Sequence, residues 1–122
     1  MPDITLRVKK GTSEEKKMEL ARAIAVHANE LLKTSQVWTY FDEQEFILNG
    51  EKAEGNFLQI NVSGPQKDEA GVAEVCKVFY DAAVPIVGEG RITFNYSSGG
   101  GDSFGINGLL FKEYLKQREQ NK

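Results

Sequence analysis

The chain has 122 residues, of which 40% are hydrophobic and 27% charged, with a formal net charge of −3, and we expect one soluble domain over residues 1–122. The acidic balance disfavours nucleic acid and anionic lipid as partners, and the lack of a signal sequence or of an apolar run of about 18 residues predicts a cytoplasmic protein without a membrane span. One cysteine and one histidine argue against a disulfide framework, a metal centre or a serine–histidine–acid triad, so no cofactor is expected.

The first third of the chain predicts a strand, a helix and a second strand. Apolar and polar residues alternate from Asp3 to Lys9, which is the period of a half-buried strand. Thr12 and Glu15 fit a capping box and predict a helix that begins near Glu14. The segment Val37 to Phe41 is rich in β-branched and aromatic residues and predicts the second strand. The apolar stripe of the helix consists of Met18, Leu20, Ala21, Ile24, Ala25, Ala28, Leu31 and Leu32.

The same order of elements follows once more. Asp42 to Asn56 is expected to be a long excursion, with residues 46–48 as an apolar patch or a short pairing segment. Phe57 to Ser63 alternates like the first strand, and a helix is expected from about Asp68, ending near Pro85 and Gly88. Arg91 to Tyr96 predicts a fourth strand, and Leu109 to Gln117 has a helical pattern.

These elements form a tandem β-α-β repeat. The strand starts Ile4 and Leu58 are 54 residues apart, as are the helix starts Glu14 and Asp68. The expected fold is α+β, a four-stranded mixed sheet with two helices on one face, divided into repeat 1 (about 2–50), repeat 2 (about 57–97) and a C-terminal extension (98–122). The other face is too aromatic for solvent and too polar for a dry core, which favours a subunit interface. Its residues are Thr5, Arg7, Trp38, Tyr40, Phe57, Gln59, Asn61, Thr93 and Asn95.

Pro2 is the main candidate for chemistry. Removal of an initiator methionine would leave its nitrogen as a secondary amine held by the ring. Burial or a nearby cation would lower the pKa of that amine and make it a base at neutral pH. The alternative is that Pro2 only precedes an edge strand.

The start of the chain and the repeat together resemble the tautomerase superfamily. The resemblance rests on Pro2 leading into a strand, on the helix entry Gly11 to Lys16 and on the second β-α-β unit. It implies a homotrimer with the N-terminal proline in a pocket at each subunit interface. It further implies that Lys33, at the end of the first helix, and Asn95, in the fourth strand, line that pocket, with Thr93 where one branch of the family has a tyrosine.

Departures from the family pattern bear on the substrate. Thr12 and Trp38 stand where the short oxalocrotonate branch has arginines that hold a dicarboxylate. An aromatic pocket of Trp38, Tyr40 and Phe46 favours a flat monoanion instead, such as an aryl-substituted 2-keto acid.

The sequence therefore predicts an isomerase that uses Pro2 for keto–enol tautomerisation. An iminium at Pro2 or the addition of water would instead give a decarboxylase or a hydratase. A retained Met1 would turn the Pro2 nitrogen into an amide, and the chain would then be a non-catalytic, tautomerase-shaped or ferredoxin-like module that binds a small molecule or a protein.

Overall fold

The structure is a computed structural model that describes residues 2–98 and 105–120. Residues 99–104 and 121–122 of the expected extension, and Met1, lie outside the described residues. The elements in chain order are β1 (Asp3–Lys9), α1 (Glu14–Leu31), β2 (Trp38–Gln44), β3 (Ile47–Leu48), β4 (Glu51–Lys52), β5 (Phe57–Gly64), α2 (Glu69–Val87), β6 (Arg91–Ser98), β7 (Gly105–Ile106), β8 (Leu109–Leu110) and α3 (Phe111–Gln120).

The main sheet joins two parallel strand pairs through an antiparallel one. Its strand order is β2-β1-β5-β6. β1 is parallel to β2, β5 is parallel to β6, and the two central strands β1 and β5 are antiparallel. This confirms the predicted four-stranded mixed sheet of an α+β fold.

The core lies between the sheet and the helices α1 and α2. Every second residue of the two central strands is buried, as the alternation predicts. Each apolar side chain removed from water contributes about 1.5–3 kcal/mol, so these rows hold both helices on the same face of the sheet. The buried core residues are Ile4, Leu6, Val8, Leu20, Ile24, Ala28, Leu32, Leu58, Ile60, Val62, Val75, Phe79 and Ala83.

The cap of α1 differs from the predicted one. The Ser13 hydroxyl, not that of Thr12, accepts the hydrogen bond from the backbone N–H of Lys16, at 3.2 Å. The Thr12 hydroxyl donates to the carbonyl of Lys9 in the preceding turn. With Thr12 engaged in that turn, Ser13 is the residue whose side chain satisfies a free N–H of the first helical turn.

Two predicted strand ends are corrected, and the predicted end of the second helix near Gly88 is confirmed. β2 continues to Gln44 because Asp42, Glu43 and Gln44 pair with β1, although their polarity suggests a loop. The helix α2 passes through Pro85, which removes only one N–H, and ends where Gly88 adopts φ 92°. The fourth strand extends to Ser98, paired with the end of β5.

Each β-α-β unit is followed by a small hairpin. β3 and β4 turn at Asn49 and Gly50, and β7 and β8 turn in the same way at Asn107 and Gly108, with positive φ at all four residues. Asn-Gly is the preferred sequence for such a two-residue turn. The pairing segment expected at residues 46–48 is confirmed for Ile47–Leu48, and the helix expected from Leu109 begins only after β8.

None of the helices in the described part of the chain has the length and apolar character that crossing a bilayer demands.

The N-cap of α1 can be tested by substitution. We expect Ser13→Ala to lower the free energy of unfolding in urea by about 0.5–2 kcal/mol, because one N–H of the first turn loses its acceptor. Thr12→Ala is the matched control and should cost less, since that hydroxyl caps no helix. An equal or larger loss in Thr12→Ala would restore the sequence-based assignment of the cap.

Candidate active site

Pro2 lies immediately before β1, and its side chain is buried. Its carbonyl accepts a hydrogen bond from the backbone N–H of Trp38 at 3.3 Å. The bond continues the parallel pairing of β1 with β2 by one residue, so the position of Pro2 is set by the main sheet. The Pro2 ring is therefore sheltered from bulk water at a fixed place at the end of the sheet.

Lys33 lies at the same end of the molecule, in the turn between α1 and β2. It has φ 49°, in the left-handed region, directly after the C-cap Leu32. The turn is closed by a bond from the Thr34 N–H to the Asn29 carbonyl at 3.2 Å and by a return bond from the Asn29 side chain at 2.8 Å. Such a left-handed residue is a common way to end a helix, and it leaves the Lys33 side chain exposed.

Four of the predicted binding residues lie on the face of the sheet opposite the helices, which we call the open face. Trp38 and Tyr40 are 53% and 50% exposed on β2, and Thr93 and Asn95 lie on β6. The strand register arranges this face in rows. One row contains Tyr40, Thr5, Asn61 and Asn95, and the next contains Asp42, Arg7, Gln59 and Thr93.

Polar side chains bond to each other along these rows. The Asn95 amide donates to the Asn61 side-chain oxygen at 3.1 Å. Arg7 donates to Asp42 at 3.2 Å and to Gln59 at 2.6 Å. The open face is therefore hydrogen-bonded and only partly exposed, a surface that suits a wet, polar subunit contact.

A single chain does not bring Asn95 and Thr93 to Pro2. Neighbouring strands are about 4.8 Å apart, and β6 is two strands away from β1, so about 10 Å of sheet separates them. Contact between Pro2 and Asn95 requires a second subunit.

Phe46 lies at the opposite end of the sheet from Pro2. It follows β2 beyond the pair Lys9–Gln44, so the length of β1, about 20 Å, separates it from Pro2. Its ring stacks on that of Phe57, with centroids 4.8 Å apart and planes 11° apart. Within one chain, Trp38 lies beside Asp3 in the row nearest Pro2, and Tyr40 lies one row further along the open face.

Asp3 is a site residue that the sequence analysis missed. It follows Pro2 and projects to the open face beside Trp38 and Ser63. Burial raises the pKa of the Asp3 carboxyl above its ordinary value of 3.8. The alternation of β1 already assigns Asp3 to the outward face. Together with its position next to Pro2, this pattern could have identified Asp3 as a candidate from the sequence.

Residues 2–98 and 105–120 contain no cluster of three or more histidine, cysteine, aspartate or glutamate side chains that would hold a metal ion.

Comparisons with known proteins identify the fold. No protein-family model and no curated protein matches the sequence. The solved structures that resemble this chain include Pt0534 inactivated by 2-oxo-3-pentynoate, with 14% identity over 91% of this chain and 98% of that one and a TM-score of 0.78. A wild-type fused 4-oxalocrotonate tautomerase in a symmetric trimer has 15% identity over 90% and 96% of the two chains and a TM-score of 0.77.

The chain has the tautomerase fold. A domain of unknown function from Sebaldella termitidis shares this fold too, with 18% identity over 91% of this chain and all of that one and a TM-score of 0.72. The match to tautomerase-fold proteins over nearly their full length confirms the fold that the resemblance drawn from the sequence implies. In this chain, the residue that immediately precedes β1 is Pro2.

The environment of Asp3 predicts a pH dependence of stability. Because the folded state holds the Asp3 proton more tightly than the unfolded state, its contribution to stability is present below pH 3.8 and is lost as the pH rises through the raised pKa. We expect Asp3→Asn to raise the free energy of unfolding at pH 7 and to show no gain near pH 3.5, measured by urea denaturation.

Asp81→Asn is the control for this measurement, since Asp81 is exposed on α2 and pairs with Lys77 at 3.1 Å. It should show no gain at pH 7. A loss of stability in Asp3→Asn at pH 7 would contradict the assignment of a partly buried, destabilising carboxylate.

Proposed function

We propose that this protein, once Met1 is removed, is a tautomerase-like enzyme. In this proposal the amine of Pro2 is the general base for keto–enol tautomerisation of a small 2-keto acid of the arylpyruvate kind. The observation that carries it is the buried Pro2 ring at the head of β1 in a chain with the tautomerase fold.

The role of Pro2 as a base follows from the burial of its ring and from the type of amine. A secondary amine out of contact with water is disfavoured as a cation, which lowers its pKa and leaves it able to accept a proton at neutral pH. Pro2 would take a proton from the carbon next to the substrate carbonyl and return it at the other end of the enol. The hydrogen bond from Trp38 to the Pro2 carbonyl supports this role, because it holds the ring in place during transfer.

Lys33 and Asn95 would bind and polarise the substrate. The exposed Lys33 ammonium, at the same end of the sheet as Pro2, would pair with the substrate carboxylate and stabilise the developing enolate. Asn95 would donate to the substrate oxygen from a neighbouring subunit, with Thr93 in the adjacent row.

The proposal includes a homotrimer. The open face supports it, because its side chains are hydrogen-bonded to each other and only half exposed. The distance of Asn95 and Phe46 from Pro2 within one chain supports it too, because only neighbouring subunits would complete the pocket. The fused 4-oxalocrotonate tautomerase with this fold is a trimer. Trp38 and Tyr40, with Phe46 from a neighbour, would form the apolar wall that favours an aryl group.

A specific observation favours a second function, that of a non-catalytic binding module. The Asn95 amide is already bonded to Asn61, and the place of a substrate-binding arginine is held by Trp38. If Met1 stays in place, the same end of the sheet would bind a ligand without proton transfer.

The enzymatic proposal is tested by the enol-to-keto conversion of phenylpyruvate. We expect protein with Met1 removed, checked by intact mass, to catalyse it, Pro2→Ala to lose about 100-fold or more in kcat/KM, and Lys33→Ala about 10-fold. Lys112→Ala, exposed on α3, is the charge-matched control and should keep full activity. Equal rates in all four proteins, or a monomer by sedimentation velocity, would contradict the proposal.

A covalent probe adds a readout independent of turnover. 2-Oxo-3-pentynoate, the compound that inactivated Pt0534, carries an activated alkyne that an uncharged amine attacks. We expect one equivalent to add to the peptide containing Pro2, and none to protein with retained Met1, by mass spectrometry. Labelling elsewhere at the same rate would favour the binding module.

Asp3 predicts a shift in the pH profile of the reaction. A carboxylate next to the Pro2 amine favours the ammonium form, so its removal lowers the pKa of the base. We expect the acid limb of the kcat/KM profile to move to lower pH in Asp3→Asn and to stay in place in Asp81→Asn. A limb that moves to higher pH would exclude Pro2 as the titrating base.

A further inference from the structure

The central strands of the two repeats begin with the same backbone geometry. Asn56 precedes β5 as Pro2 precedes β1. The backbone N–H of Arg91, the first residue of β6, donates to the Asn56 carbonyl at 2.9 Å. The N–H of Trp38, the first residue of β2, donates to the Pro2 carbonyl at 3.3 Å. These bonds align the two repeats residue by residue along the open face.

A hydrogen-bonded pair of side chains lies at equivalent positions of the two repeats. In the first, Arg7 on the central strand β1 donates to Asp42 on the edge strand β2 at 3.2 Å. In the second, Asn95 on the edge strand β6 donates to Asn61 on the central strand β5 at 3.1 Å. The central partners are 54 residues apart and the edge partners 53, the same offsets that separate the aligned strand ends. The direction of donation is therefore opposite in the two repeats.

The central residue decides which group its edge partner presents. A guanidinium only donates, so Arg7 binds a carboxylate, which has no N–H to offer a ligand. The side-chain oxygen of Asn61 accepts, so it turns the NH2 group of Asn95 toward itself. A primary amide has two N–H donors, and the bond to Asn61 uses one of them. Within residues 2–98 and 105–120 the second N–H of Asn95 has no side-chain partner, so it is available to a ligand.

Without Asn61, the Asn95 amide would have two orientations. Asn95 is exposed, and the terminal torsion of an asparagine side chain is broad and roughly twofold. Rotation about it exchanges the NH2 group with the carbonyl oxygen. In the second orientation an acceptor would face a substrate oxygen on which negative charge develops, and the two would repel each other. A bond that selects the donor orientation beforehand avoids this repulsion.

We propose that Asn61 is a positioning residue for the Pro2 site of the neighbouring subunit. Its side-chain oxygen holds the Asn95 amide with a donor directed at the substrate oxygen. The inference rests on the proposed function, in which Asn95 binds that oxygen. Asn61 acts through Asn95 and does not touch the substrate. Because the donor matters most when charge develops on the substrate oxygen, the loss of Asn61 lowers kcat and leaves KM nearly unchanged.

Steady-state kinetics with phenylpyruvate test this role in protein with Met1 removed. Asn61→Leu, which has a similar shape and no acceptor, should lower kcat about 10-fold and change KM by less than about twofold. Asn61→Asp, which can only accept, should keep kcat within about threefold, and its charge should raise KM by repelling the substrate carboxylate. In an Asn95→Ala background, Asn61→Leu should have no further effect on kcat.

Gln59→Leu is the matched control. Gln59 is an amide on the same strand and the same face, but it accepts from Arg7 and not from Asn95. Its substitution should leave kcat within about twofold, with Asn95 or with Asn95→Ala. Sedimentation velocity of every variant checks that the assembly is unchanged.

The Asn95 side-chain amide gives a readout without turnover. In ¹⁵N-labelled protein its signal is identified by its absence in Asn95→Ala. We expect slow exchange of one of its protons with water in the unsubstituted protein and in Asn61→Asp, because that N–H is hydrogen-bonded, and fast exchange of both protons in Asn61→Leu.

The outcomes separate this inference from the proposed function. An unchanged kcat in Asn61→Leu, independent effects of Asn61→Leu and Asn95→Ala, or an equal loss in Gln59→Leu would overturn the role of Asn61 and leave the chemistry of Pro2 intact. Absence of turnover in the unsubstituted protein would overturn the proposed function, and the role of Asn61 in catalysis with it. If Asn61→Leu does not fold, Asn61→Ala takes its place in each comparison.

Discussion

The antiparallel pairing of β1 with β5 is the constraint on which the rest of the molecule depends. It joins the two β-α-β units at the centre of the sheet, where each strand buries one full row of side chains under α1 and α2. Because the two strands run in opposite directions, their first residues lie at opposite ends of the sheet. The pairing thus both builds the core and keeps the residues preceding the two strands, Pro2 and Asn56, a strand length apart.

The open face shows how a sheet with helices on one side avoids a row of unsatisfied polar groups on the other. Arg7 links β1 to β2 through Asp42 and to β5 through Gln59, and the bond between Asn61 and Asn95 links β5 to β6. Such bonds hold side chains in one arrangement before any partner arrives, which lowers the conformational entropy that association would otherwise cost. In the proposed trimer, a face of this kind would favour specific contact between subunits over nonspecific aggregation.

Local pattern was sufficient for the central strands and helices, because β1 and β5 alternate strictly and α1 and α2 have continuous apolar stripes. The local sequence pattern did not predict the end of the edge strand β2. Residues 42–44 are polar yet paired, since an edge strand is half solvated and its length is decided by the backbone of β1. The N-cap of α1 is Ser13, one residue after the predicted Thr12, because the Thr12 hydroxyl donates a hydrogen bond to the Lys9 carbonyl.

The site was predicted only in part, for a related reason. Pro2, Lys33 and Trp38 lie at one end because short connections link α1 to β2 and β2 pairs directly with β1. The separation of Phe46 from Pro2 depends on register, which no local window of sequence contains. The equivalence of Arg91 and Trp38 also required tertiary information, since it emerges only from their matching backbone hydrogen bonds to the carbonyls of Asn56 and Pro2.

The internal location of Asn56 limits what duplication can achieve in this fold. A residue inside the chain has a peptide bond on each side, so no substitution there, not even proline, could ever supply a free amine. Fusing two units into one polypeptide therefore halves the number of terminal nitrogens per assembly. Of the two equivalent strand starts, only the one at Pro2 can therefore become a free amine, and only through removal of the residue before it.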